Sequence, residues 1–273
     1  MSTIKIIKHL DRLLLNQMDY GICNLSIVPL RLEPKDASEM ISQILLGEHF
    51  KVLERRTKWS KIRLAYDNYE GWIDNKQFLI VSESFYTKIE NTPVFLSNDM
   101  INFGENQQQL LTNIVIGSHL PFYENEHFSI GPEKFNFEGE VTCGRQKKDH
   151  LISTALQFLN SPYLWGGKTP FGIDCSGLTQ LVYKLNGYAL KRDARDQATQ
   201  GEVLSFIEES EPGDLAFFDN EEGNIIHVGI MMADNYIIHA HGKVRIDRLD
   251  HLGIYNIDNK RHTHKLRVIK KII

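Results

Sequence analysis

The stretch that decides the fold of this chain is Tyr163-Leu-Trp-Gly-Gly-Lys-Thr-Pro-Phe-Gly-Ile-Asp-Cys-Ser-Gly177. It places Cys175 directly before an apolar helical pattern and after a glycine-rich loop that carries Tyr163 and Trp165. Histidines follow in two strand-like runs, at residues 225–231 and 236–241. A thiol at the start of a helix, with imidazoles on later strands, is the arrangement of a cysteine nucleophile and its base. The pattern therefore indicates acyl transfer.

The position of Cys175 favours a reactive thiol. A free cysteine has a pKa near 8.5, and the unpaired N–H groups and dipole of a helix N-terminus lower it. A histidine partner lowers it further by stabilising the ion pair. Asp174 and Ser176 are favourable residues at a helix start, and Gly177 allows other groups to approach closely. The alternative is a buried, inert thiol.

Histidines on the two later strands are the candidate base and its orienting partner. His227 lies mid-strand beside the small Gly229, and we assign it as the general base. A hairpin between the two runs brings His239 within reach of His227, where it would complete a triad. His241 shares the strand face of His239 and is the rival, although its place near the strand end favours a surface role. For His227, the alternative is a satisfied core histidine.

Two residues of the loop before Cys175 have candidate roles. The Tyr163 hydroxyl can join the backbone N–H of Cys175 in polarising a scissile carbonyl, and Trp165 can form an apolar wall. Ordinary loop packing is the alternative for both.

The sequence predicts neither a metal nor another cofactor. The pairs His239/His241 and His262/His264 have no adjacent carboxylate cluster to reinforce a metal site. The Gly166-Gly167 pair lacks the spacing of a phosphate loop or of a dinucleotide-binding fingerprint.

Composition limits the classes of function. The 273 residues predict two or three domains, and the net charge of −4 gives no case for nucleic acid. Three cysteines cannot all pair within one chain, which fits a reducing compartment. The N-terminus, from Met1 to Arg12, lacks the apolar core of a signal peptide, and no run has the length of a membrane span. We expect a cytoplasmic protein that does not contact membranes. A periplasmic or secreted protein whose leader had been removed would look the same.

The periodicity predicts an α+β domain over residues 146–273. An amphipathic helix over 149–160 is predicted to bury Ile152, Ala155, Leu156 and Leu159. A second helix after Cys175 is predicted to bury Leu178, Leu181, Val182 and Leu185, and a weaker third helix covers 196–202. Strands are predicted at 215–218, 225–232, 235–241, 243–248 and 265–272.

The first half of the chain predicts short strands separated by turns. Candidate strands are residues 26–32, 41–54 with a turn at Gly47, 58–66 and the segment after 67–71. This spacing is typical of a small β-barrel over 1–80. A second, less regular β-rich block covers 81–145, with candidate strands at 92–96, 110–116 and 138–143.

Four motifs in order resemble the NlpC family of papain-like cysteine peptidases, which cut bacterial cell-wall peptides. They are Tyr-x-Trp-Gly-Gly…Asp-Cys-Ser-Gly, Glu-Pro-Gly-Asp-Leu-x-Phe-Phe, His-Val-Gly-Ile and Ile-Ile-His-Ala, all within 146–273. The resemblance implies Cys175 as nucleophile, His227 as base and His239 as the orienting residue. It also implies Tyr163 at the oxyanion site, with Trp165, Asp174 and Ser176 binding substrate.

The N-terminal half resembles two bacterial SH3-like domains, at 1–80 and 81–145. The arrangement is similar to the subgroup of γ-D-glutamyl-L-diamino-acid endopeptidases. There, an acidic residue and a tyrosine of the first SH3-like domain hold the free α-amine of an N-terminal L-alanine. Glu39 and Tyr69 are the candidates here, with Glu48 or Glu70 as alternatives for the acid. The segment Arg192-Asp-Ala-Arg-Asp-Gln197 fits a family loop in which Ala194 stands where a serine often contacts substrate.

The leading hypothesis is therefore an endopeptidase for the bond between γ-D-glutamate and a diamino acid in murein peptides with a free L-alanine terminus. One alternative is a wall-binding module with an inactive peptidase domain. Another keeps the thiol chemistry but changes the bond, as in amidases and acyltransferases.

Overall fold

The computed structural model describes residues 19–273. The prediction that the N-terminus carries no signal peptide, and the start of the predicted first domain, lie outside these residues. No helix among the described residues is long and apolar enough to cross a membrane.

Residues 19–81 form one antiparallel sheet of seven strands. Its spatial order is β3-β2-β6-β5-β4-β1-β7. The predicted turn at Gly47 is present, with φ of 74°, and the glycine separates two strands that the sequence suggested as one run. The strands are β1 (Asp19–Ile22), β2 (Ile27–Arg31), β3 (Met40–Leu45), β4 (His49–Arg55), β5 (Trp59–Leu64), β6 (Glu70–Asp74) and β7 (Leu79–Val81).

The central block combines one helix with two small sheets. Helix α1 (Glu83–Glu90) begins after Ser82, whose hydroxyl accepts a hydrogen bond from the backbone N–H of Phe85. One sheet has the order β10-β9-β12-β11, and a separate pair joins β8 and β13. The strands are β8 (Phe95–Ser97), β9 (Ile101–Asn106), β10 (Leu111–Val115), β11 (His127–Ile130), β12 (Glu133–Asn136) and β13 (Val141–Cys143).

The central block shares a hydrophobic core with the first sheet. Ile22 and Leu46 of the first sheet region belong to the same buried cluster as Ile114, Phe128 and Phe137. The two N-terminal blocks therefore pack as one unit through apolar contacts.

The C-terminal block packs helices against a closed sheet. Strand β22 pairs with both β17 and β21, so six strands close in the order β22-β17-β18-β19-β20-β21, and β16 adds to β22. The helices are α2 (His150–Gln157), α3 (Cys175–Leu185) and α4 (Ala194–Gln197). The strands are β14 (Lys168–Thr169), β15 (Gly172–Ile173), β16 (Glu202–Leu204), β17 (Leu215–Asp219), β18 (Ile225–Met231), β19 (Tyr236–His241), β20 (Lys243–Asp250), β21 (Gly253–Asn256) and β22 (Arg261–Lys271).

Helix α3 is the centre of this block. The predicted stripe is buried, and so is every other residue of the helix. The helix packs between the sheet on one side and the N-terminal unit on the other, so its polar side chains are buried as well.

The predicted buried face of α2 is confirmed at Ala155 and, half-buried, at Ile152, but it was wrong at two positions. Leu156 and Leu159 are exposed, whereas Leu151, Ala155 and Phe158 pack in the core. Both sets have helical spacing, and Phe158 supplies more apolar area than Leu159, so the helix turns toward it. The third helix was predicted over residues 196–202. Helix α4 begins earlier, at Ala194, and already ends at Gln197, and residues 202–204 form strand β16.

Candidate active site

Cys175 is the first residue of α3, as the sequence predicted. Asp174 occupies the N-cap position in an extended conformation, and its Oδ1 accepts a 2.6 Å hydrogen bond from the backbone N–H of Gly177. Its Oδ2 accepts a second bond, of 2.8 Å, from the N–H of Gly166. The aspartate therefore fixes both the start of the helix and the glycine-rich loop.

A buried guanidinium completes the support of the helix start. Arg192 donates to both carboxylate oxygens of Asp174, at 3.1 and 2.6 Å. It also donates 2.9 Å bonds to the hydroxyls of Ser176 and, from the first sheet, Ser42. Both oxygens of Asp174 are thus occupied by donors of the chain itself. This bidentate geometry is the arrangement that makes buried Arg–Asp pairs rigid.

Cys175 opens into a cavity of about 590 Å³ between the N-terminal unit and the C-terminal block. A volume of this size suits a short peptide. The first sheet region supplies one wall and the C-terminal block the other. The lining residues are Leu32, Glu39, Ile41, Tyr69, Tyr163, Trp165, Asp174, Cys175, Ser176, Asp193, Ala194, Arg195, Asn224, Ile225 and Ile226.

The hairpin of β18 and β19 brings the two candidate histidines together. Nε2 of His227 lies 2.8 Å from Nδ1 of His239, and both rings are buried. Gly229 pairs directly with His239, and a side chain at Gly229 would collide with the Cβ of His239. The glycine therefore makes room for the imidazole pair, as the sequence suggested.

The Cys175 thiol packs against the strand that carries His227. The backbone N–H groups of Val228 and Ser176 donate toward the sulfur, which lowers its pKa. Burial acts in the opposite direction and is the larger effect. With the negative charge of Asp174 added, the pKa rises to about 12.

The expectation of a lowered thiol pKa was therefore wrong, because the pKa of Cys175 is raised instead. Desolvation of the nearly buried thiolate outweighs the effect of the helix N-terminus. Burial also lowers the pKa of His227 well below its usual value, and the neighbouring histidines add to that effect. Both shifts favour a neutral thiol beside a neutral imidazole in the resting molecule.

A buried carboxylate that the sequence analysis missed lies behind His239. Oδ2 of Asp247 is 3.1 Å from Nε2 of His239, and Arg245 donates to both oxygens of the same carboxylate. Strand β20 lies beside β19, and its alternation puts Arg245 and Asp247 on the face that carries His239. The alternation of polar with apolar residues on this strand was the available signal.

Two further histidines lie beside the pair. His264 stacks on His227 with ring centroids 4.2 Å apart, and the ring of His241 is 6.5 Å from that of His227. His241 is exposed at the strand end, as expected. Among residues 19–273, no group of three or more His, Cys, Asp or Glu side chains has the geometry to hold a metal ion.

The aromatic residues of the loop line the cavity. Burial, with the negative charge of Asp174 added, raises the pKa of Tyr163 to about 12, so its hydroxyl keeps its proton and can donate. Trp165 exposes much of its ring, and its Nε1 donates a 2.6 Å bond to Glu39.

The three acidic residues considered as partners of a substrate amine lie in different surroundings. Glu39 lines the cavity, whereas Glu48 is buried against Lys168 and Lys184, and Glu70 pairs with surface cations. Of the three proposed acids, only Glu39 is therefore placed to meet a ligand of the cavity.

Tyr69 also lines the cavity, but its partner was not foreseen. Its hydroxyl donates to Asp193, with oxygen distances of 3.1 and 3.2 Å. Asp193 belongs to the loop after Arg192 and is a second carboxylate on the cavity wall. Burial raises the pKa of Asp193 against the lowering effect of Arg192. Since the loop was recognised as a motif, its acidic residue was an available signal.

Known proteins similar to this chain were found at the level of sequence. A model described as NlpC/P60 family matches residues 160–260, and one described as bacterial dipeptidyl-peptidase Sh3 domain matches residues 30–78. A γ-D-glutamyl-L-lysine dipeptidyl-peptidase of Bacillus subtilis is 31% identical, with 73% of this chain and 71% of the relative covered. The chain belongs to the NlpC/P60 family. Dipeptidyl-peptidase 6 of Lysinibacillus sphaericus is 27% identical, with 80% and 87% covered.

Solved structures of NlpC/P60 proteins share the fold. A family member from Bacillus cereus superposes with a TM-score of 0.77 at 21% identity, over 93% of this chain and 99% of the other. An NlpC/P60 endopeptidase from Photobacterium damselae gives 0.70 at 17% identity, over 91% and 70%. These structures confirm the predicted papain-like NlpC/P60 fold, and the family together with the named dipeptidyl-peptidase relatives confirms the predicted hydrolase class.

The predicted pair of SH3-like domains is supported for one member only. The SH3 model ends at residue 78, and residues 83–143 of this NlpC/P60 protein form the central block described above. The second SH3-like domain stays a prediction.

Proposed function

We propose that this chain is a cysteine endopeptidase that hydrolyses the γ-D-glutamyl–diamino acid bond of murein peptides with a free N-terminal L-alanine. The observation that carries the proposal is the shared cavity, which has Cys175 on one wall and the acid Glu39 of the SH3-like domain on the other. Relatives named γ-D-glutamyl-L-lysine dipeptidyl-peptidase and dipeptidyl-peptidase 6 support the substrate class.

The reaction would use Cys175 and His227 as a neutral pair that becomes charged during the reaction. The thiol gives its proton to His227 as sulfur forms a bond to the γ-carbonyl carbon of D-glutamate. The imidazolium then returns this proton to the amine of the diamino acid as the C–N bond breaks. Water, deprotonated by His227, attacks the thioester, and the S–C bond breaks to release the acid and restore the thiol.

Stabilisation of the oxyanion would come from the loop and the helix start. The backbone N–H of Cys175 and the protonated hydroxyl of Tyr163 are the donors that we assign to the tetrahedral intermediate. Asp174 and Ser176 contribute by holding this part of the cavity in shape, since their polar atoms already bond Arg192.

Selectivity for a free amine follows from the charges on the cavity wall. Within residues 19–273, Glu39 and Asp193 line the wall with no cation bonded to either, and Asp174 is neutralised by Arg192. Tyr69 holds Asp193 in place, and Trp165 holds Glu39. An ammonium placed between these carboxylates gains charge-assisted hydrogen bonds. An acetylated terminus cannot donate three bonds, and it leaves the carboxylates unpaired.

The test compares L-Ala-γ-D-Glu-diamino acid with its N-acetylated form, with products identified by mass spectrometry. We expect release of L-Ala-D-Glu and the diamino acid from the free peptide, and a loss of at least about 100-fold in kcat/KM for the acetylated one. Equal rates would refute amine recognition. Cleavage of an amide other than the γ-glutamyl bond would favour the amidase alternative, and no turnover would favour a binding module.

A pair of cysteine variants separates chemistry from folding. Cys175→Ala should abolish turnover with an unchanged melting temperature. Cys143→Ala, which removes a free and exposed thiol, should retain full activity. Retained activity in Cys175→Ala would contradict the assignment of Cys175 as nucleophile.

The cytoplasmic location belongs to the same proposal, because recycling acts on peptides already released from the wall. All three cysteines are free, which suits a reducing compartment. Fractionation of cells that express the tagged chain would test this, and recovery outside the cytoplasm would overturn it.

A further inference from the structure

The carboxylate of Asp247 is the last member of a line of buried polar groups that begins at His227. The ring nitrogens of His227 and His239 are 2.8 Å apart, and the other nitrogen of His239 lies 3.1 Å from Asp247. Asp247 is fully buried and does not line the cavity. It can therefore influence the reaction only through the two rings.

Asp247 is surrounded by hydrogen-bond donors. Arg245 donates to Oδ2 at 2.7 Å and to Oδ1 at 2.9 Å, and the backbone N–H of Ile257 donates to Oδ1 at 3.2 Å. Nδ2 of Asn256 lies 3.4 Å from Oδ2. Although burial by itself would raise the pKa of Asp247, the bonds from His239 and Arg245 lower it to about 2. The group is ionised at neutral pH and can only accept hydrogen bonds.

This fixes the position of the hydrogen atom on each ring. Nε2 of His239 must carry a hydrogen to bond Asp247, and because burial keeps His239 neutral, its Nδ1 is an acceptor. Nε2 of His227 must then carry a hydrogen to bond that acceptor. His227 is neutral as well, so its Nδ1 has the free lone pair that a base needs.

We propose that Asp247 is a positioning residue that sets the tautomer of His239 and, through it, leaves Nδ1 of His227 unprotonated and able to take the thiol proton. The inference rests on the proposed function in one respect, since it takes Cys175 and His227 as the reacting pair. Asp247 is then a fourth residue behind Cys175, His227 and His239, and it does not contact the substrate.

Asparagine at position 247 keeps the shape and reverses the hydrogen-bonding pattern. An amide NH2 in place of Oδ1 would face only N–H donors, those of Arg245 and Ile257. In place of Oδ2 it also meets the Nε–H of Arg245, but there Nε2 of His239 can accept a hydrogen bond from it, so the NH2 is directed toward His239. A donor facing Nε2 of His239 moves that ring's hydrogen to Nδ1. His227 then accepts at Nε2 and holds its own hydrogen on Nδ1, where it cannot act as a base.

The experiment measures steady-state kinetics and histidine ¹⁵N chemical shifts of the full chain. Asp247→Asn should lower kcat/KM by about 10²- to 10⁴-fold, the upper value being that of the equivalent change in a Ser-His-Asp triad. The loss should be in kcat, with KM within about threefold. The matched control is Asp250→Asn, which removes an exposed carboxylate that also bonds a histidine of the same sheet, His262. It should stay within about twofold of the parent.

The ¹⁵N shifts test the tautomers independently of substrate. At neutral pH, the unmodified chain should show His227 and His239 with hydrogen on Nε2, and Asp247→Asn should show it on Nδ1. Hydrogen on Nδ1 of His227 in the unmodified chain would overturn the proposal, as would unchanged rates and tautomers in the variant. If Asp247→Asn does not fold, the shifts of the unmodified chain still distinguish the two tautomers of His227. Failure of the murein tripeptide as a substrate would count against the proposed function and leave this readout intact.

Discussion

A buried carboxylate with two ammonium partners joins the first sheet to helix α3. Glu48, in the turn between β3 and β4, bonds Nζ of Lys184 at 2.7 Å and lies 3.3 Å from Nζ of Lys168. Its second oxygen accepts from the backbone N–H of Leu45, and Lys184 also donates to the carbonyl of Gly117. All three charged side chains are nearly inaccessible to solvent. Replacement of Glu48 by Gln would therefore leave two ammonium groups buried without a counter-charge.

The size of the effect follows from the charge state of Glu48. Burial alone would raise its pKa, but Lys168 and Lys184 lower it from 4.5 to about 2. One pKa unit corresponds to about 1.4 kcal/mol, so the ionised carboxylate stabilises the fold by about 3 kcal/mol at neutral pH. Removal of one partner from a buried ion pair typically costs about 3–5 kcal/mol. We expect Glu48→Gln to lower the free energy of unfolding by about 3 kcal/mol, and Tm by roughly 6–12 °C.

The assay is urea denaturation at pH 7 and pH 3 with a matched control. Glu70→Gln removes a carboxylate that also has two cationic partners, Lys61 and Arg63, but on the surface, and should cost less than about 1 kcal/mol. Because the folded pKa of Glu48 is below the unfolded value, its contribution is complete above pH 4.5 and is lost as the pH falls through about 2. The gap between parent and Glu48→Gln should thus narrow by roughly half or more at pH 3. Equal costs for the two variants, or a gap independent of pH, would refute the reasoning.

Three further predictions concern the cavity and acid stability. Gly166→Ala should reduce kcat/KM at least about tenfold, because φ is +75° and an added Cβ would collide with the Met40 carbonyl of the SH3-like domain. Gly144→Ala is the kinetic control, since Gly144 also has a positive φ but has open space around it. Tyr69→Phe removes the hydrogen bond that the hydroxyl donates to the carboxylate of Asp193, and it should raise KM for the free-amine peptide by roughly tenfold with kcat nearly unchanged. An equal effect on the acetylated peptide would contradict this. Burial lowers the pKa of His119 from 6.5 to about 3, so its contribution to the free energy of unfolding should fall by about 1.4 kcal/mol per pH unit below pH 6.5. Urea denaturation between pH 7 and pH 4 should therefore show a free energy of unfolding that depends less steeply on pH in His119→Gln than in the parent.

The local elements of the C-terminal block were largely predictable from the sequence. Strands β17 to β19 and helix α3 carry periodic apolar patterns bounded by turn residues, and these patterns reflect burial against one dominant core. Cys175 and His227 could be found for the same reason, because Cys175 stands directly before such a pattern and His227 interrupts one. Short elements such as β14, β15 and β21 have too few residues for a period and were missed.

The contacts between the blocks could not be predicted. The motif that contains Arg192 does not reveal the partners of this residue, which is buried with Ser42 of the first sheet and Asp174 accepting its hydrogen bonds. Glu48 has the sequence context of a turn residue, although its partners are more than 100 positions away in the chain. Such partners depend on how domains pack, and no period in a single sequence records that packing.

The same contacts explain why the cavity belongs to the whole chain and not to the peptidase domain alone. The loop that carries Trp165 is anchored from the first sheet, because the side chain of Gln43 accepts a hydrogen bond from the backbone N–H of Lys168. Helix α3 is anchored there as well, since Asp67 accepts a bond from Gln180. These two buried hydrogen bonds and the ion pairs of Glu48 would break if the domains separated. Breaking any of them would leave a buried donor without its acceptor. The SH3-like domain therefore acts as a fixed wall of the cavity.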